Sequence, residues 1–212
     1  LYLGFFVSGS LLEATITSIG RILVGFSLSI VIGSVLGLTL ARSKLADQTL
    51  GSLIIALQSV PSIVWLPIAL LVFANSNVAI ISIVLLGGTW AMTANMRQGI
   101  QNVDPQLIRA ARTMGYKGSE LVWRVMLPAS IPAFLSGARL ALAFGWRALM
   151  AAELLGKGGL GRTLLNANDF FNYGLVIGII VIIGVIGLIF EYLIFNNVEK
   201  RILARWGHDA KS

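Results

Sequence analysis

The chain has 212 residues, of which 57% are apolar and only 12% carry a charge. Soluble domains average about 45–50% apolar and about 25% charged residues, so this composition excludes a disordered chain and argues against a water-soluble globule. There is no cysteine and a single histidine, which excludes disulfide scaffolds, thiolate metal sites and cysteine nucleophiles. We expect neither a metal site nor a cofactor.

The formal net charge is +7, and its distribution favours a membrane rather than a nucleic acid as partner. A nucleic-acid-binding chain would carry a basic, mostly soluble face with base-reading or stacking groups. Here the basic residues stand in short islands between long apolar runs. No strand-like alternation appears, and open strands are not tolerated in lipid. The sequence predicts an all-α, polytopic membrane protein.

The apolar runs predict five spans, each of the roughly 20 residues that cross a hydrocarbon core about 30 Å thick. Twenty uncharged residues lie between Arg21 and Arg42, and 49 uncharged residues run from Gln48 to Met96. A single helix of the longer run would measure about 73 Å, so this run must fold back at the polar residues 75–77. The predicted spans of this single domain, residues 1–212, are 20–41, 50–73, 78–99, 131–154 and 171–196.

Lysine and arginine predict the orientation, because they are enriched in cytoplasmic segments. One side of the predicted spans holds eleven of the sixteen basic residues, and the other holds only Lys157 and Arg162. We therefore expect the segment 100–130 and the C-terminus in the cytoplasm, and the segment 155–170 outside. The stretch 1–13 then lies outside, and since the chain begins at Leu1 we expect a further helix ahead of it.

The cytoplasmic segment 104–128 predicts a helix–glycine–helix projection. Asp104 can cap a helix that begins at Pro105, and Gly115 suits the left-handed residue that ends it. A second short helix follows from Gly118 or Ser119 to about residue 128. The residues alone leave two alternatives open: a docking surface with a small face at 110–111, or an amphipathic loop on anionic lipid.

The second span is the first candidate for lining a solute path. Pro61 and Pro67 interrupt it, and each proline removes a helical hydrogen bond and kinks the axis. Such breaks commonly line cavities in transporters. The polar residues beside the kink are Gln58, Ser59 and Ser62. A packing kink against a neighbouring helix is the alternative.

Two ionisable residues, Arg147 and Glu153, lie in the outer half of the fourth span, where such groups usually have a role. They are six residues apart and therefore too far round the helix to pair with each other. Either could line the outer mouth of a path, where a cationic Arg147 would suit an anionic solute. Salt bridges to other helices are the alternative for both.

The chain has no nucleotide-binding motif. It contains no GxxxxGK[ST] sequence. Gly156, Gly158 and Gly161 match GxGxxG, but they follow a predicted span instead of a strand, so we interpret them as a flexible turn. We do not expect the chain to be an enzyme, and any nucleotide chemistry would come from a partner.

The projection resembles the EAA loop of the permease subunits of ABC importers. In that loop Glu-Ala-Ala is followed after three residues by Gly, and after nine more by Ile-x-Leu-Pro. The corresponding positions in this chain are Arg109, Ala110, Ala111, Gly115, Val125, Leu127 and Pro128. Two of them depart from the pattern, since Arg109 reverses the charge of the glutamate and Val125 replaces isoleucine.

The stretches LQSVPSIVWLPIAL, SGARLALAFGW and AAELLGKGGLG are similar to the nitrate/sulfonate/taurine branch of these permeases. The resemblance implies an inner-membrane subunit of a bacterial importer that forms the solute path with a second copy of itself. It also implies cytoplasmic ATPase subunits coupled through residues 105–127, an external solute-binding protein, and a small anion or sulfonate-like solute. The alternative is a stand-alone channel or secondary carrier, which would need a relay of Asp, Glu or His that the spans do not contain.

Overall fold

A computed structural model describes residues 9–195 of the chain, and over these residues it is helical with no strand. The long helices are α1 (Ser10–Arg42), α4 (Ser76–Gln101), α7 (Ile131–Leu155) and α9 (Tyr173–Leu188, continued by a π-helix over Ile189–Phe195). The shorter ones are α2 (Lys44–Ser59), α3 (Ser62–Val72), α5 (Pro105–Thr113), α6 (Gly118–Ala129) and α8 (Leu160–Asp169).

Three described helices are long and apolar enough to cross a membrane: Ser10–Arg42, Ser76–Gln101 and Tyr173–Tyr192. Two bent pairs raise the possible number to five, by length and composition. The axes of α2 and α3 differ by 93°, and those of α6 and α7 by 65°. The five spans expected from the sequence correspond to the upper of these two numbers.

The helix bounds differ from the predicted spans in two places. Helix α1 begins at Ser10, ten residues before the predicted start, because the charge that suggested a boundary, Arg21, is buried inside the helix. The second span is two helices that meet at Val60 and Pro61 instead of one kinked helix. Val60 is extended, as expected for a residue before proline.

The core is formed by α1, α4 and α7. Three glycines of α1 let it approach α4 so closely that a Cβ on any of them would lie 2.6 Å from a side-chain carbon of α4. The facing pairs are Gly25 with Val84, Gly33 with Met92 and Gly37 with Met96. Between them Ser29 Oγ donates to the Leu85 carbonyl at 3.0 Å. The small residues therefore allow backbone-to-backbone packing, which is typical of helices in lipid.

Candidate functional site

The projection between α4 and α7 is capped at both ends of α5. The Asp104 side chain accepts a hydrogen bond from the Gln106 N–H at 2.7 Å. At the other end Gly115 has φ +94°, and the Tyr116 N–H donates to the Ala111 carbonyl at 3.1 Å. This pattern satisfies the last free carbonyls of the helix. The result is a short helix with a capped start and a left-handed glycine after its end.

One face of the projection packs against the protein and the other is exposed. Ala111, Leu121 and Val122 are buried, whereas Arg109 and Ala110 are exposed. Since successive helical residues point about 100° apart, the expected small face of Ala110 together with Ala111 is not presented to solvent as a pair. Only Ala110 is available to a partner.

The remaining positions of the EAA-like pattern lie closer to the membrane helices. Val125, Leu127 and Pro128 are half-buried, and Leu127 packs against the main hydrophobic core. The exposed surface of the projection instead carries large apolar side chains. Met114 is 70% exposed and Trp123 is 64% exposed.

A cavity of about 390 Å³ opens beside the break between α2 and α3. Its lining includes the four residues of that segment that were predicted to line a solute path. It also includes the arginine of α7 for which the same role was predicted. Its lining is Gln58, Ser59, Val60, Pro61, Ser62, Ile63, Gly87, Trp90, Phe144, Arg147, Ala148 and Ala151. The structure therefore brings together residues that are almost ninety positions apart in sequence.

The break positions the polar side chains of the cavity. Pro61 starts a new turn in which its carbonyl accepts from the Val64 N–H at 3.0 Å. Gly87 of α4 lies at the crossing with α3 and α7, where a Cβ would come within 3.1 Å of the Ala148 Cβ and 3.3 Å of the Ser62 Oγ. The missing side chain at Gly87 lets these three helices meet around the cavity.

Arg147 supplies the only formal charge among the described lining residues. Its guanidinium carbon lies 4.7 Å from the centre of the Phe144 ring, and its Nε donates to the Ala143 carbonyl at 3.1 Å. Stacking on an aromatic face and a carbonyl contact hold the side chain while its terminal N–H groups stay available. The cavity is therefore cationic and holds hydrogen-bond donors.

Glu153 does not line the cavity, which corrects the prediction that it could share the path with Arg147. It is fully buried and forms an ion pair with Arg21 of α1 at 2.8 Å. Its carboxylate also accepts from Ser18 Oγ at 2.8 and 2.9 Å and from the Gly161 N–H at 3.0 Å. Glu153 therefore forms the salt bridge to another helix that was the alternative to lining the path. Arg147 has no carboxylate partner among the described residues.

The glycine-rich turn after α7 is held by the same buried charges. Arg21 donates to the carbonyls of Lys157 and Gly158 at 2.6 and 2.9 Å, and it also contacts Asn77 at the start of α4. A side chain on Gly159 would overlap the Glu153 carboxylate. The turn that the sequence suggested to be flexible is therefore fastened to α1 and α4.

Sequence reasoning missed Ser18, Arg21 and Asn77 as members of this ion-pair network. One signal for Arg21 was available in the sequence, because it directly precedes twenty uncharged residues. An ionisable group in or beside a span usually needs a partner. Trp90 and Phe144 gave no such signal, because aromatic residues are common in any apolar helix. Their place beside Arg147 depends on the packing of α4 against α7.

The fold combines bent apolar helices, a cationic cavity between them and an exposed helical projection. This combination is typical of a membrane transport protein. The chain belongs to the family of binding-protein-dependent transport system inner membrane components, whose pattern matches residues 29–203. It is an ABC transporter permease of the importer type.

Relatives with known names include several permeases. The chain is 32% identical over 190 residues to a putative ABC transporter permease of Methanocaldococcus jannaschii, covering 89% of this chain and 71% of the relative. It is 30% identical to the nitrate import permease of Leptolyngbya laminosa, over 84% of this chain and 64% of the relative. It is 31% identical to a putative aliphatic sulfonates transport permease of Bacillus subtilis, over 94% of this chain and 72% of the relative.

A solved structure has the same fold. The inward-facing methionine ABC transporter MetNI superposes with a TM-score of 0.82, covering 92% of this chain and 97% of that chain at 17% sequence identity. At this identity the likeness concerns the fold alone. It agrees with the all-helical architecture expected from the sequence.

Proposed function

We propose that the chain forms the solute path of an ATP-driven importer as a homodimer, and that separate ATPase subunits bind to residues 105–127. The observation that carries this proposal is the projection itself: one face of a capped helix is packed against the protein and the other is exposed. Its exposed surface carries Met114, Trp123 and several arginines. These residue types are enriched at protein–protein interfaces, and exposed apolar patches commonly mark such sites.

The connections at both ends of the projection are short. Only residues 102–104 separate α4 from α5, and Val103 among them is buried. Helix α6 joins α7 through Ser130, which is also buried. A displacement of α5 by a bound ATPase would therefore reach α4 and α7 without loss in a flexible linker.

The cavity fits a small anion as solute. Gly87 lies about 17 Å along α4, whose length is about 39 Å, so the cavity is near the middle of the helix. Arg147, Gln58 and Ser62 offer donors, and none of the lining residues is acidic. Permeases named for nitrate, aliphatic sulfonates and bicarbonate are among the relatives, which supports an anionic or sulfonate-like solute delivered by an external binding protein.

We further propose that the protein lies in the cytoplasmic (inner) membrane with the projection and the C-terminus in the cytoplasm. The basis is the excess of lysine and arginine on that side. In the structure, Ser119 of α6 and Asn166 of α8 are both exposed. They lie beyond opposite ends of α7, which is about 38 Å long.

The orientation is tested with single cysteines, since the natural chain has none. We expect Ser119→Cys to react with a membrane-impermeant maleimide only after the membrane is opened, and Asn166→Cys to react in intact cells. The matched control is the unsubstituted chain, which should not react. Labelling of Ser119→Cys from outside would overturn the orientation.

The solute assignment is tested by Arg147→Gln in the purified complex. We expect the ATPase subunits to remain bound and basal ATP hydrolysis to be unchanged, while uptake of an anionic solute falls about tenfold. A lost charged hydrogen bond is worth about 1.5–3 kcal/mol, and about 1.4 kcal/mol corresponds to a factor of ten. Uptake assays with nitrate and with an alkyl sulfonate provide the measurement.

Arg162→Gln is the matched control. Arg162 follows the C-terminal end of α7 and does not line the cavity, so this change removes a positive charge without altering the cavity. It should transport normally. A normal rate for Arg147→Gln would contradict the role of the cavity. A wild-type preparation that transports without ATP and without bound ATPase subunits would instead favour the stand-alone carrier.

A further inference from the structure

Helix α2 is weakly packed for its length. Over Lys44–Ser59, most described side chains are exposed, and the buried positions are Gly51 and Ile54. A helix with so little buried surface has few contacts that fix its position. Its polar contacts with the neighbouring helices therefore matter more than those of a core helix.

The first turns of α2 are attached to the end of α4 by Asp47. The Arg97 Nη2 donates to Asp47 Oδ2 at 2.9 Å, and Arg97 Nε lies against the other carboxylate oxygen. Gln101 Nε2 donates to Asp47 Oδ2 at 3.2 Å. The Asp47 side chain is only 21% exposed, so water screens this pair less than a pair at the surface. A charge-assisted hydrogen bond of this kind also restrains the relative position of the two helices.

These contacts join two functional parts of the molecule. Gln101 is the last residue of α4, and the projection starts three residues later. At the other end of α2, Gln58 and Ser59 form one wall of the cavity. Asp47 and Ser59 are about 18 Å apart along this helix. The helix therefore spans the distance from the projection to the cavity wall.

We propose that the Asp47–Arg97 pair is the link through which movement of the projection displaces the cavity wall. Both are positioning residues that touch neither solute nor nucleotide. The inference rests on the proposed coupling function of residues 105–127. Among the described residues, the polar side-chain contacts between α2 and α4 all involve Asp47. Movement of the end of α4 therefore acts on the start of α2 at this carboxylate, and the end at Gln58 and Ser59 follows.

The test compares Asp47→Asn with wild type in the complex with its ATPase subunits. Asparagine keeps the size and one acceptor oxygen but removes the charge. We expect unchanged ATPase binding and basal hydrolysis, an unchanged solute concentration at half-maximal uptake, and a maximal uptake rate at least fivefold lower. The conservative Asp47→Glu should retain more uptake than Asp47→Asn, because the ion pair can re-form.

A charge exchange separates linkage from damage to the fold. Arg97→Asp alone should lower uptake like Asp47→Asn, and Asp47→Arg combined with Arg97→Asp should restore at least half of it. The matched control is Glu191→Gln, which removes another partly exposed ion pair, the one with Arg139 at 3.2 Å between α9 and α7. It should leave the uptake rate within twofold of wild type.

Cross-linking asks whether the pair moves as one unit. In the cysteine-free chain, Asp47→Cys with Arg97→Cys should transport slowly, and joining the two thiols with a short bis-maleimide should raise the rate. Arrest by the cross-linker would overturn the proposal, as would a normal uptake rate for Asp47→Asn or loss of the ATPase subunits from it. A wild-type complex without ATPase subunits would contradict the proposed function instead.

Discussion

Replacing Gly115 by glutamate is expected to leave the protein in the membrane, to weaken binding of the ATPase subunits and to abolish transport. Gly115 has φ +94°, a conformation that costs an ordinary residue roughly 1–2 kcal/mol. Within the described part of the chain, and apart from the two neighbouring residues, no atom lies within 4 Å of a Cβ built at this position. The new side chain would therefore project into the space that we assign to the partner, and it would bring a negative charge.

Two further variants separate the causes. Gly115→Asn adds a side chain of moderate size with little backbone strain, because asparagine tolerates the left-handed region, so we expect partial transport. Arg109→Glu restores the residue of the family pattern at an exposed position and should be tolerated. ATPase co-purification and uptake are measured for each. If Gly115→Glu binds its ATPase and transports normally, the projection is an amphipathic loop on the lipid surface.

Removing the buried carboxylate with Glu153→Ala is expected to destabilise the protein by about 3–5 kcal/mol, since it leaves an uncompensated buried charge. Arg21 would lose the 2.8 Å ion pair while remaining 4% exposed. The Gly161 N–H would lose its acceptor as well. Thermal unfolding in detergent, followed by the fraction that remains monodisperse, should show a large decrease in melting temperature.

The matched control is Glu120→Ala, which removes an exposed ion pair with Arg124 at 3.3 Å. Exposed pairs contribute about 0–1 kcal/mol, so its melting temperature should stay close to that of wild type. The combined Arg21→Met and Glu153→Met variant should be more stable than Glu153→Ala, because it buries no unpaired charge. Equal melting temperatures for Glu153→Ala and Glu120→Ala would show that the buried network does not hold α1, α4 and the turn after α7 together.

Local signals in the sequence predicted the parts of the fold that depend on neighbouring residues. The uncharged runs indicated the spans, and the positions of Asp104, Pro105 and Gly115 indicated a capped helix, because caps and left-handed turns depend on two or three adjacent residues. The break at Pro61 followed from the missing N–H and from ring sterics. None of these features requires knowledge of which helices are neighbours.

Features that depend on helix packing could not be obtained in this way. In the sequence Arg21 suggests the start of a span, because its partner, Glu153, is 132 positions away. The exposed and buried sides of Ala110 and Ala111 depend on how α5 rests against α6. Similarly, Asp47 could be recognised as the attachment of α2 only once Arg97 lay beside it. A single sequence contains the charges but not the pairing of distant helices.

The close packing of α1 against α4 also limits where the chain can change length. Gly25, Gly33 and Gly37 each meet a residue 59 positions later, and Ser29 approaches Gly88 with the same separation. The two helices are therefore parallel and share one register. A residue inserted into α1 between these contacts would rotate all following positions by about 100° and place Cβ atoms against α4. Insertions and deletions in natural relatives are accordingly expected outside these contact segments, for example in the turn before α4.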